Sequence, residues 1–414
     1  MIRIYIIKFK VLKIIVTLML CVLMLAFTLF YFNYRNRSSS ESLDPNAEYV
    51  VLAMNDLGMH CIQSDYSAYL LFPPANNVKV QVFKKGDKEA MLINDGIEVK
   101  YEAIDNTTSA DKVNFWQYAA DYGYDVEPNV GITGNKLSGF MSLSSDKKYY
   151  EATAIPITPY NDGSTELNAY QTAKITVYDK STGKVIAVCE SVVVPVSNEM
   201  NCSVCHGETD TDLAILAAHD ELSNTHLVND LNNNIRHKCS DCHEDNALGE
   251  KGVEGVAPLS QAMHGFHSTK MELSDITPKC SSCHPGPITK CYRGVMYANG
   301  VSCDNSKCHG DMENIARSQM EGRMAWLQEP NCSNCHKMKY STNQNVLYRN
   351  SYLMNAPAFE MNGLIQCISC HNSPHSEWPS TLAIDNKIPL SLQGTENYIE
   401  NCNVCHEGKG KVHN

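Results

Sequence analysis

The sequence predicts three parts. They are an N-terminal transmembrane helix, an all-β, sandwich-like domain, and a C-terminal region of short helices and loops wrapped round bound groups. Three observations predict this. Residues 14–32 form an apolar run of 19 residues without a charge. Residues 48–198 carry short stretches that alternate apolar and polar side chains. Residues 199–414 lose that alternation and carry Cys-x-x-Cys-His six times. The divisions are a signal anchor at 1–34, a linker at 35–47, a β domain at 48–198 and a cysteine-rich domain at 199–414.

The apolar run is about as long as a bilayer crossing requires. Arg3, Lys8, Lys10 and Lys13 precede it, which orients the N-terminus to the cytoplasm. Arg35 and Arg37 follow and weaken that asymmetry. No small-x-small cleavage site follows the run, so an uncleaved anchor is expected. Cys21 inside it reads as a small apolar residue of a membrane helix. The expected location is the cytoplasmic membrane, crossed once, with the soluble part in the periplasm or outside the cell. The stretch Arg35 to Ala47 is rich in Ser, Asn, Asp and Pro and reads as a linker.

In the β domain, Val78, Val80 and Val82 alternate with polar residues, as do Ile97, Val99, Tyr101 and Ala103. Ala152, Ala154 and 155–157 form another short run. Lys174 to Tyr178 and Lys184 to Val194 flank Asp179, Ser181 and Gly183, a hairpin signal. Several short strands with Gly, Asn and Pro between them suggest a sandwich.

The first three motifs are Cys202, Cys205 and His206; Cys239, Cys242 and His243; and Cys280, Cys283 and His284. The other three are Cys332, Cys335 and His336; Cys367, Cys370 and His371; and Cys402, Cys405 and His406. A seventh, wider copy runs Cys303 to Cys308 and His309, with four residues between its cysteines. Cys-x-x-Cys-His is the attachment signature of a c-type haem. The thiols bond to the vinyl groups, and the next residue, His, ligates the iron. A zinc knuckle or a redox dithiol needs no His after its second Cys, so neither explains all six copies. The expected cofactors are seven covalent haems c, six on regular motifs and one on the wide motif. Motif starts lie 23 to 41 residues apart, and the sequence between them does not recur. About one haem per 30 residues leaves little room for a side-chain core.

Of 15 histidines, seven belong to the motifs and His60 lies in the β domain. The other seven are His219, His226, His237, His264, His267, His375 and His413. Seven haems and seven spare histidines suggest bis-His ligation throughout. Such irons are six-coordinate and of lower potential than His/Met sites. His237 and His375 sit too close to their own motifs to cap them easily and are expected to serve neighbours. His264 and His267, three apart, are expected to serve two haems.

Residues 199–414 resemble the multihaem c-type cytochromes of bacterial respiratory and extracellular electron-transfer systems. The resemblance rests on the motifs, on His237 before Cys239, and on the stretches Ile215 to Asp220 and Leu259 to Gly265. The segment Leu52 to Cys61 is similar to an N-terminal module of some of these cytochromes. The resemblance implies electron transfer along stacked haems and proximal roles for the seven motif histidines. The wide motif departs from the family pattern.

Cys61, Cys189 and Cys291 remain. A Cys61–Cys189 disulfide within the β domain is the favoured expectation. A metal or axial site from His60 and Cys61 is the alternative. Cys291 is then a free thiol or an axial thiolate.

The formal charge of −12 and the absence of a basic cluster beyond the N-terminus exclude nucleic acid as a partner. The function expected is a membrane-anchored electron carrier between redox partners, either quinol-linked or other cytochromes. The competing class is a multihaem reductase of a small nitrogen or sulfur oxyanion with one open iron. Every motif ends in His, and the ligand count favours the carrier.

Overall fold

The computed structural model describes residues 47–56, 58–86, 90–277, 279–328 and 365–407. The anchor run 14–32 and most of the linker lie outside the described residues. So do His413 and the whole fourth regular motif, with its expected haem cysteines Cys332 and Cys335 and its expected iron ligand His336.

Two antiparallel sheets pack face to face. The first has strands β1 (Tyr49–Met54), β4 (Asn76–Lys84), β9 (Tyr150–Ile155) and β8 (Ser142–Leu143) in the order β1-β4-β9-β8, with β5 (Met91–Leu92) also on β4. The second has the order β11-β10-β6-β7, from β6 (Ile97–Ile104), β7 (Ser138–Phe140), β10 (Thr172–Asp179) and β11 (Val185–Val193). Val78, Val80 and Val82 of β4 and Val99, Tyr101, Ile175 and Val177 of the second sheet meet in one core. The β10–β11 hairpin closes where Asp179 accepts from the Ser181 hydroxyl and the Thr182 amide and hydroxyl.

Two short parallel pairs tie the sheets to the rest. β2 (His60–Cys61) lies on β12 (Val196–Ser197), and β3 (Tyr69–Leu70) lies on β13 (His237–Lys238). The helices are α1 (Phe115–Tyr118), α2 (Ser203–His206), α3 (Thr211–Ser223), α4 (Leu227–Asn232), α5 (Leu259–Glu272), α6 (Val295–Ala298), α7 (Met312–Met320), α8 (Cys367–His371) and α9 (Lys387–Gln393).

β1 is buried from Val50 to Met54 without alternation. Val51 and Ala53 enter the main core, while Val50, Leu52 and Met54 pack with Phe83 against Ile365, Ile368 and Val404. The first sheet is therefore covered on both faces, the outer one by the Cys367 and Cys402 motif turns. Trp378 and Ile388 join the main core.

These findings correct the expected architecture. Residues 47–414 form one compact unit mixing strands and short helices, since the C-terminal segments bury their apolar residues on the sheets. Among the described residues, no helix is long and apolar enough to cross a membrane. α5, with 14 residues, reaches about 21 Å of the roughly 30 Å needed. The predicted transmembrane helix, and the single-pass membrane location drawn from it, thus find no counterpart among the described residues. Nor, among the described residues, does any group of three or more His, Cys, Asp or Glu converge to hold a metal ion. A fold class of membrane helix, separate all-β domain and haem-wrapped domain is not what these residues show.

Candidate functional site

The described regular motifs share one local form. The His206, His243, His284 and His406 amides donate to the carbonyls of Cys202, Cys239, Cys280 and Cys402 at 2.9–3.0 Å. One helical turn therefore carries both cysteines and the histidine, with residues three and four apart on one face. The fifth, Cys367–His371, is itself α8. The wide motif turns differently: the Cys308 amide donates to Asn305 O at 2.8 Å and the Lys307 amide to Asn305 Oδ1 at 3.0 Å.

No disulfide is formed among the described cysteines. The second cysteine of the first three motifs, Cys205, Cys242 and Cys283, is exposed, as is Cys303. Cys202, Cys239, Cys280, Cys308, Cys367, Cys370, Cys402 and Cys405 are half-buried. Cys205 and Cys242 end their turns on the surface. The roles expected for Cys332, Cys335 and His336 lie outside the described residues.

The expected Cys61–Cys189 disulfide is not formed. Cys189 lies in β11 opposite Ile175, within the sheet that packs on the main core. Cys61 lies opposite Ser197, with Cys291 and Glu199 among the charges around it. Burial pushes the Cys189 thiol up to about 12 and the Cys291 thiol up to about 11.

Four motif histidines each face a second histidine. His206 pairs with His267 at 6.5 Å between ring centroids, His243 with His219 at 6.2 Å, His284 with His264 at 6.0 Å and His309 with His375 at 6.1 Å. Two metal–imidazole bonds of about 2 Å, plus about 1 Å from each nitrogen to its ring centre, come to roughly 6 Å. The residues thus fit a haem iron between each pair. Val204, Met263 and Phe266, beside His206 and His267 in sequence, are exposed apolar side chains of the kind a porphyrin covers.

The ring nitrogens support the same fit. Nδ1–H of His243 donates to Ala257 O at 2.7 Å, that of His264 to Ser260 O at 2.7 Å and that of His267 to Met263 O at 2.8 Å. His219 Nδ1 meets Thr225 Oγ1 at 2.9 Å, and that hydroxyl donates onward to Asp220. Holding Nδ1–H fixes the tautomer and leaves the Nε2 lone pair to ligate. Burial lowers the imidazoles of His206, His219, His264 and His309, favouring the neutral form that ligates. It draws His284 and His375 down to about 4, with neighbouring histidines adding to the effect.

The scaffold explains these positions. α5 carries both His264 and His267 and packs on α7, where Gly265 and Ala316 allow a close approach. A Cβ on Gly252, whose φ is +61°, would strike the backbone of 242–244, so only glycine lets 250–253 lie behind the second motif. Glu199 accepts from the amides of Gly286, Ile288 and Thr289, which seats the segment leading to Cys291. Arg293 and Asp385 form a buried bidentate pair at 2.7 and 2.9 Å. The Cys280 and Cys303 thiols lie close enough to shift each other's acidity, which brings the third and the wide motifs together.

The remaining sequence-predicted histidines are placed otherwise. His237 Nε2 lies 3.0 Å from Asp230 Oδ2. His226 sits at the start of α4, its carbonyl accepting from the Asp230 amide. His371 stacks on Tyr398 at 5.0 Å, and His406 bridges to Gly86. Buried His60 lies about 6 Å from the rings of Phe72 and Trp326. Cys291 Sγ lies 3.9 Å from His375 Nδ1, behind a candidate ligand rather than in its place. Sequence reasoning missed this contact, as well as Glu199 and the Arg293–Asp385 pair. A lone Arg two residues after a spare Cys was the only signal.

In comparisons with known proteins, no protein-family model, no curated protein and no solved structure matches this chain.

Proposed function

We propose that this chain is a multihaem c-type cytochrome that transfers electrons between redox partner proteins along about seven covalently held haems. The observation that carries the reading is the pairing of four motif histidines with second histidines at 6.0–6.5 Å. Each motif's two thiols would hold one haem, and its His would be the proximal ligand. His267, His219, His264 and His375 would be the distal ligands of the sites at His206, His243, His284 and His309. The haems supply one-electron chemistry. The protein fixes the ligand geometry, shields the sites and places them next to one another. α5 ties the first and third sites through candidate ligands three residues apart, and the closeness of Cys280 to Cys303 ties the third to the wide site. Closed, two-His irons suit relay rather than substrate binding.

The test is haem and iron quantification on purified full-length protein, with low-temperature EPR of the oxidised form. Seven haems per chain, predominantly low-spin, are expected. A preparation that carries zinc, or disulfides in place of thioether-bound haem, overturns the reading.

A further inference from the structure

His375 differs from the other three distal candidates. His219, His264 and His267 lie inside the helices α3 and α5. His375 lies in a turn with φ +70°, a left-handed conformation that side chains rarely adopt. It is kept there by the amides of Arg293 and Gly294, which both donate to its carbonyl at 2.7 Å. Its own amide donates to Glu377 Oε1 at 3.1 Å.

The support behind the ring differs too. The other three distal candidates set Nδ1 against an oxygen at 2.7–2.9 Å. His375 sets it against the Cys291 sulfur at 3.9 Å. Sulfur is a weak acceptor, so this ring is less firmly oriented and a poorer donor to metal. Its partner His309 belongs to the one wide motif.

Polar groups stand beside this pair. The Tyr292 ring lies 5.6 Å from that of His375, and its hydroxyl feels the charges of Glu377, Cys308 and Cys303. Glu377 Oε2 is buried and makes no hydrogen bond. Arg293 is committed to Asp385. On the His375 side the surroundings thus offer a phenol and a carboxyl, with Arg293 tied to Asp385 and the cation Arg323 lying toward His309.

We propose that His375 is a displaceable ligand and that the place it vacates binds a small uncharged ligand of the diatomic class. This rests on the haem reading above. The exchange breaks one iron–nitrogen bond and forms one bond to the incoming ligand, with no net redox change.

The test is carbon monoxide titration of the dithionite-reduced, full-length holoprotein, following the Soret band, with haem counted first. One CO per chain is expected. His375→Ala should leave the count at one and add a ferric high-spin EPR signal of one haem. Cys291→Ala, a milder change, should speed CO uptake roughly tenfold by loosening the ring. A fully haem-loaded protein that binds no CO overturns the inference while leaving the electron-transfer reading intact. So does a second CO site in His375→Ala, or an uptake rate untouched by Cys291→Ala. A protein without haem overturns the earlier reading instead.

Discussion

The imidazole of His264 lies nearly parallel to that of His284, with 14° between the ring planes at 6.0 Å. The rings of His219 and His243 are close to perpendicular at 86°, and those of His206 and His267 stand at 73°. Parallel imidazoles split the iron orbitals that perpendicular ones leave nearly degenerate. The site between His264 and His284 should therefore give a rhombic low-spin EPR signal and the two crossed sites a strongly anisotropic one. His264→Ala should remove about one haem's worth of the rhombic signal, measured by spin integration. Retention of that signal at full intensity would refute the assignment.

α5 carries the candidate ligands of two proposed sites, so a change at one position should register at one haem. His267→Met should raise the potential of the His206 site, by a visible fraction of the roughly 0.8 V that axial ligands span. Spectroelectrochemistry should show one of seven waves moving up. Movement of none, or of all, would place His267 elsewhere.

Arg293 and Asp385 are 1% and 0% exposed at their side chains. Removing one partner strands a buried charge, which typically costs about 3–5 kcal/mol. Asp385→Ala should lower the urea midpoint accordingly, with the haem content unchanged. Asp385 also accepts from the Ser380 hydroxyl, and its carbonyl from Trp378 Nε1, so the loss should loosen the whole 378–386 turn.

Acid should loosen one identifiable loop contact beside the β sheets. Hydrogen bonds from Lys112 and Thr107 hold the Asp162 carboxyl down from 3.8 to about 2. A depressed folded value means that this contribution is complete above the unfolded value. It is lost as pH falls from about 4 to about 2. Asp162→Asn should flatten the pH dependence of the urea midpoint in that window. The effect is modest, since the group is largely open to solvent.

Much of this was written locally in the chain. The alternation at Val78, Val80 and Val82 falls on β4, and that at Ile97 to Ala103 on β6. Each motif's single turn follows from its own five residues. His264 and His267, three apart in the sequence, fall on one helix, α5. Their partners were not legible, because the pairing joins residues brought together only by tertiary packing. The same holds for Cys61, whose neighbour is Cys291 and not Cys189. It holds for His237, whose Nε2 meets an aspartate in the preceding helix. The exposure of Cys205 and Cys242 was equally illegible, since the motif is the same whether its turn faces the core or the solvent. The unbroken apolar run of β1 looked like any strand opening. That it is covered on both sides is a fact about residues more than 300 positions away.

That double covering sets an order of events during synthesis. Val50, Leu52 and Met54 emerge early, yet the residues that cover them, Ile365, Ile368 and Val404, are translated last among the described segments. Until then the outer face of the first sheet is an apolar surface with unsatisfied adhesion, prone to stick to other chains. Its cover includes Ile368 of the Cys367 turn and Val404 of the Cys402 turn. If those turns take haem as proposed, loading at Cys367 and Cys402 and closure of the earliest sheet become one maturation step.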